Sequence, residues 1–440
     1  MFRLIFKKVL AILTVSILAV SIFTACGSSK EATQENSEKK QEPVKLTILT
    51  HYSQEQEEAL KKQIDKWNKL HPDIQVVHKS VADFGQLLPT IMAQQTAGQQ
   101  ADILHVYALW AGQLATNNVL AEVPDEIVED IKKNYLPTAI DTVTLNGKIL
   151  GYPTEVETYG LFYNKKILQE NGFNDPPQTW DELYNIAKKV TKKDSAGKIL
   201  IEGFGLIKGW DSAVVHPYLS LVYSAGGSFV TDGKVDLTSQ PAIQALEFEE
   251  KFIRDGITDI SFDAFKGFPD EKVAMVINAG WWNSSLKTLM GENYKNVGVA
   301  PIPSPDGKHK GSVSYGFFYG VNSKSKHKEE AWQFLKWLNS EPQANGGTAE
   351  GNFLLSLSII PARISDINAL KKELEEPNNK PFIDALSYAV PELNVVPGQK
   401  IKTILQNHIE AVWTGSEKVK DALEAATKEI NQELEKIQIK

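Results

Sequence analysis

Two carboxylates, Glu155 and Glu157, stand two positions apart in GYPTEVETYGLFYNK (residues 151–165), an extended run that leads straight into a helix. Strand alternation puts both on one face. Such a pair can accept hydrogen bonds from hydroxyl groups, or it can split a glycosidic bond as general acid and nucleophile or base. Hydrolysis needs the two acids on opposite sides of the bond, whereas these point the same way, so glycan hydrolysis stands as the alternative. Aromatic residues at other predicted element ends supply flat faces for stacking. These are Tyr52, Trp110, Tyr315, Trp210 beside the acid Asp211, and Trp281 in INAGWW. Arg363 and His51 are further candidates, and Trp282 reads as core.

Other chemistries find little support. There is no G-x-S-x-G elbow, no H-E-x-x-H zinc motif and no Walker A sequence. Gly203-Phe204-Gly205 followed by Gly209 has one residue too many for a dinucleotide fingerprint. Cys26 is the only cysteine, which leaves no cysteine metal cluster, internal disulfide or catalytic thiol. No cofactor is expected.

The elements that must position these residues follow from composition and pattern. With 440 residues, 42% hydrophobic and 23% charged, the chain is long enough for two cores. Its formal charge of −8 argues against a nucleic-acid partner, which needs a basic surface. Residues 1–25 read as a secretory leader: Arg3, Lys7 and Lys8 precede an uncharged apolar run ending in FTAC. Cleavage before Cys26 would make it a lipidated first residue, although Phe23 replaces the usual Leu of a lipobox; an uncut signal anchor is the alternative. Without those three cations, 44 basic residues face 55 acidic ones, a formal −11. Residues 27–43, GSSKEATQENSEKKQEP, are too polar to fold and read as a tether.

From Val44 onward strands and helices alternate, the pattern of an α/β domain with a mainly parallel sheet. VKLTIL, residues 73–77 and ADILHV read as strands, and helices are expected after Ser53 (a capping box with Gln56) and over 84–94. Ligands of such sheets bind beyond the carboxyl ends of the strands, here near His51, Tyr52, Tyr107 and Trp110. A second α/β part holds a helix capped by Thr179 and Glu182, a strand over 204–207, a helix over 214–225, and a strand over 272–278 that delivers Trp281. Extended segments over 297–301 and 311–321 and a crossing near 355–361 return the chain between the parts. An amphipathic helix closes it.

Seven pieces in this order resemble the bacterial extracellular solute-binding proteins of the sugar-binding type. They are KLTILTHYSQ, ADILHV, GYPTEVETYGLFYNK, PPQTWDEL, KVAMVINAGWW, VGVAPIPSPDG and KEEAWQFLKWLNSEP. The resemblance implies a two-lobed periplasmic-binding-protein-like fold of type II with three hinge crossings. Lobe one would span 44–155 plus 319–355, and lobe two 160–313 plus 363–440. It further implies a carbohydrate between closing lobes, delivery to an ABC permease with a separate ATPase chain, and no enzymatic activity. Glu157 matches the family's cleft acid and Trp281 its stacking tryptophan. Similar maltodextrin binders carry an aromatic directly after the third strand, where this chain has Val106, then Tyr107 and Trp110. Polyamines, metal complexes and phosphate esters are the other ligands of such folds, metal being disfavoured by the missing ligand cluster and phosphate by the acidic charge. The expected protein is a monomer, lipid-anchored on the extracellular face of the cell membrane.

Overall fold

The computed structural model describes residues 42–438. The leader, Cys26 and nearly all of the tether lie outside the described residues. No described helix is long and apolar enough to cross a membrane.

Strand β1 (Val44–Thr50) lies between β2 (Ile74–Ser80) and β3 (Ile103–Tyr107), parallel to both. Helices return the chain each time. The first, Gln54–Leu70, starts where the Gln56 side chain accepts the Ser53 N–H at 2.9 Å. The second, Phe84–Ala97, is capped by Asp83 and ends at Gly98 in the left-handed region, φ 69°. Three strands that run the same way place the turns after Thr50 and Tyr107 at one edge, where the sequence places the ligand.

The organising strand is β4 (Tyr152–Asn164), thirteen residues of which all but Tyr163 are buried. Burial on both faces explains why its sequence reads as an apolar run rather than a clean alternation. Its first half pairs antiparallel with β7 (Val313–Val321), from Tyr152 opposite Tyr319 to Thr158 opposite Ser314. Its second half pairs with β5 (Met275–Ala279) on one side and β6 (Val297–Ala300) on the other. Strand β7 reaches β3 in turn, and a short β8 (Val390–Pro391) runs parallel to its start. One sheet thus has the order β5-β4-β7-β3-β1-β2, with β6 and β8 beside β4 and β7.

Beside β4 runs a third segment. The Val156 N–H donates to Ile360 O at 3.1 Å, and the Ala362 N–H to Thr154 O at 2.8 Å. Register between β4 and β7 slips between Gly316 and Phe318, where two residues of β4 lie opposite one of β7. The bulge covers Thr154 and Glu155 and tolerates Pro153, which has no N–H for a regular ladder. Gly316 fits because any Cβ there would meet Glu155 O at 2.5 Å.

The expected α/β architecture holds, with two corrections. The sheet is mixed rather than mainly parallel, since β4 pairs antiparallel with β5, β6 and β7, and β7 with β3. Residues 204–207 form no strand; Glu202 and Gly205 make only isolated bridges to Val273 and Val276. The backbone at Gly203 packs closely on Ala187, where a Cβ would lie 2.1 Å from the carbonyl oxygen. Trp210 therefore follows a loop, not a strand, and precedes the helix Asp211–Ser224. Trp180 is core, stacked on Phe248 at 4.7 Å with its indole N–H on Pro303 O.

Candidate functional site

Glu155 and Glu157 face one cavity of about 280 Å³ at the point where β4 exchanges β7 for β5 and β6 as partners. The turn after β1 brings His51 and Tyr52 to its wall, and the end of β3 brings Tyr107. Strand β7 contributes Tyr315 and Phe317, two positions apart and so on one face. Trp210 enters just ahead of its helix, and Trp281 just ahead of the helix Trp282–Met290. Ser284 and Ser285 from that helix add hydroxyls. Five segments far apart in sequence thus converge on the face the two acids share.

The acids are held tightly. The Trp281 N–H donates to Glu157 Oε2 at 3.2 Å, and Gly280 permits the approach, since a Cβ there would lie 3.2 Å from the same oxygen. Burial pushes the Glu157 carboxyl well above its ordinary pKa; the neighbouring Glu155 adds to the shift, and the backbone N–H groups of Trp281 and Gly280 oppose it. Glu155 Oε2 lies 3.6 Å from His105 Nε2, too far for a hydrogen bond, while His105 contacts Tyr52 Oη at 3.3 Å and Thr154 Oγ1 at 3.1 Å. Glu155 Oε2, Glu157 Oε1 and His51 Nδ1 are buried with no hydrogen-bond partner among the described residues. Leaving polar atoms buried in this state costs free energy that a ligand's donors and acceptors recover.

Around them the aromatic rings form a wall. Trp210 and Trp281 stand 5.8 Å apart at 54°. Phe317 stacks on His51 at 4.6 Å, and Phe84 meets His51 edge-on at 5.3 Å. The site therefore combines acceptors at its floor with flat apolar faces at its sides.

Of the residues singled out from sequence, Tyr52, Glu155, Glu157, Trp210, Trp281 and Tyr315 share this cavity, and so does His51. Trp110 and Asp211 line an adjoining groove that has Phe84 and Trp210 in common with it. There Gln399 joins them, accepting from Trp110 Nε1 at 2.9 Å and donating to Asp211 Oδ2 at 2.7 Å. Arg363 is a correction: it reaches neither space. Its guanidinium forks onto Asp130 at 2.8 and 3.1 Å and lies over the Tyr135 ring. Trp282 is core, 0% exposed.

Sequence reasoning missed Phe84, Phe317 and the wall behind Tyr107. Phe317 had a signal, since it shares the strand face of Tyr315. Behind Tyr107, Lys402 donates to Tyr107 Oη, to Ser212 Oγ and to Glu392 Oε1 at 2.7 to 2.9 Å. Glu392 also accepts from Tyr107 and lies 2.6 Å from His216 Nε2. No local pattern in the chain announces this network.

An α/β fold is what known structures share with this chain. The GacH receptor of Streptomyces glaucescens superposes with a TM-score of 0.77 at 21% identity, over 89% of this chain and 98% of that one. MalE3 of T. maritima, solved with maltose, gives 0.72 at 24% identity, over 88% and 99%. The chain belongs to the bacterial extracellular solute-binding protein family, whose pattern it matches over residues 52–345. It is also similar to the maltodextrin-binding protein MdxE of Bacillus subtilis, 26% identical over 93% of this chain and 91% of that protein. The galactooligosaccharide-binding protein of the same organism is 23% identical over 93% of each. The family binds solutes rather than transforming them, which answers the hydrolase alternative.

Proposed function

We propose that this protein is the lipid-anchored solute receptor of an ABC importer and that its solute is a carbohydrate, with an oligosaccharide favoured. The observation that carries this reading is the pairing of unpartnered acceptors, on Glu155 and Glu157, with the ring faces of Trp210, Trp281 and Tyr315. A sugar presents hydroxyls to the first and C–H faces to the second. The adjoining groove past Trp110 and Asp211 gives a longer chain somewhere to continue. Relatives named for maltodextrin and galactooligosaccharide binding support the same class.

In this reading residues 44–155 with 319–355 form one lobe and 160–313 with 363–440 the other. Strands β4 and β7 and the segment near 355–361 are the three hinges. Ligand that touches both lobes favours the closed state by its extra contacts there. Cys26 would anchor the monomer at the extracellular face of the membrane, beside a permease served by a separate ATPase chain.

A thermal-shift screen of the purified protein tests the class. Ligand that binds only the folded state raises the melting temperature according to its concentration over its Kd. A rise with one sugar series supports the proposal. Silence from all sugars, with a rise from spermidine or a phosphate ester, removes the carbohydrate and keeps the receptor.

A further inference from the structure

The electrostatics of the cavity are one-sided. Among the described residues, its lining includes two carboxylates and no lysine or arginine. The one lining base is His51, which burial, and after it His105, holds well below the ordinary imidazole pKa. A third acid, Glu350, is buried behind Tyr319, which donates to its Oε2 at 3.4 Å; Glu350 Oε1 has no partner among the described residues. Behind the wall, Lys402 already faces Glu392 at 2.9 Å and Asp211 at 3.9 Å, and the His105 imidazole lies 3.6 Å from Glu155 Oε2. Nothing that lines the cavity balances Glu155 and Glu157, which are 4% and 3% exposed.

A neutral sugar hydroxyl can donate to one of the free oxygens, but it brings no charge. An ammonium brings three donors and a positive charge; Glu155 Oε2 accepts, and the charge favours the ionised form of Glu157, whose carboxyl burial and Glu155 otherwise hold above its ordinary pKa, so that Glu157 Oε1 accepts too. Aromatic faces around the acids add a cation–π attraction that a hydroxyl does not feel. The same field repels phosphate, sulfate and uronate groups.

We infer that the preferred solute is a saccharide bearing a basic amine, whose ammonium group sits against Glu155 and Glu157 within the aromatic wall. This rests on the carbohydrate reading and sharpens it. Glu155 and Glu157 supply the preference, and share the sugar contact with the tryptophans.

The test is calorimetric titration of the full chain at pH 7 with matched sugars. Glucosamine, galactosamine and mannosamine, and the glucosamine disaccharide, are each set beside the neutral parent and the N-acetylated form, with spermidine as a non-sugar amine. The expected result is one amine that binds about tenfold tighter than both of its uncharged counterparts. In Glu157→Gln, or in Glu155→Gln if the first variant fails to fold, the amine should lose more affinity than its uncharged counterparts, so that the ratio falls toward one. A neutral sugar that binds as tightly as its amine overturns the inference and leaves the carbohydrate reading standing. An amine preference that survives both substitutions overturns the assignment to these acids. Silence from every sugar, with or without spermidine binding, overturns the inference and the carbohydrate reading together.

Discussion

The Lys402 ammonium lies 2.8 Å from the Tyr107 hydroxyl, joining the helix Gly398–Trp413 to the end of β3 across 295 residues of sequence. Lys402 is 4% exposed, and the same ammonium donates to Ser212 and Glu392. A buried cation with three oxygen partners from three elements holds one side wall of the cavity in place.

Lys402→Met should therefore destabilise the fold by roughly 3–5 kcal/mol, because it leaves Glu392 buried beside Asp211 without its counter-charge. Urea denaturation at pH 7 measures this. Burial alone would raise the Glu392 carboxyl, but Lys402 and His216 outweigh it and hold it down to about 2. A depressed carboxylate stabilises the fold above its unfolded pKa, so this contribution should fade as pH drops from about 4.5 toward 2. The fading should be weaker in the variant.

Glu249 has the opposite sign. It is 0% exposed, and burial raises its carboxyl to about 8 although Trp413 Nε1 donates to it at 3.1 Å. The folded state keeps the proton that the unfolded chain has already lost, so its contribution to stability declines as pH rises from about 4.5 to 8. Glu249→Gln should flatten that decline and gain about 2–4 kcal/mol at pH 8 relative to the parent. Denaturant melts at pH 5, 6, 7 and 8 give the comparison; parallel curves for parent and variant would contradict it.

Arg363→Ala should lower stability without touching affinity. It removes a forked pair with Asp130 and a guanidinium over Tyr135, a loss of about 1–3 kcal/mol. Burial works against the charged guanidinium, but Asp130 outweighs it and raises the Arg363 pKa. Affinity for a sugar that changes with this variant would return Arg363 to the binding site.

Trp281→Ala should weaken sugar binding by about 1–3 kcal/mol, since it removes one stacking face. The Trp281 backbone N–H that holds Glu157 remains in the variant, so the loss reports the ring and not the acid. Calorimetry with the sugar found by thermal shift reads it, and an unchanged Kd would place the ring outside the contact.

Much of this was legible in the chain. Period-two and period-3.6 patterns marked β1, β3 and their helices, and the capping pairs Ser53–Gln56 and Thr179–Glu182 fell where helices begin. The spacing of Glu155 and Glu157 put both acids on one face, and INAGWW separated Trp281 from Trp282. What failed were readings that local pattern cannot decide. Phe204 looked like strand because it is apolar, but only isolated bridges at Glu202 and Gly205 form there. Arg363 looked available because Asp130, its partner, lies 233 positions away. Glu392 and Lys402 carried no signal, since their partners come from β3 and from the helix Asp211–Ser224.

Tryptophan fluorescence during sugar titration goes to the heart of the matter, because Trp210 and Trp281 line the cavity. Neutral and amine-bearing sugars are titrated into the parent chain and into Trp210→Phe/Trp281→Phe. A saturable change in the parent, lost or much reduced in the double variant, is the predicted result. No saturable change with any sugar, or one the double variant retains in full, would contradict a carbohydrate site between these tryptophans and the paired acids.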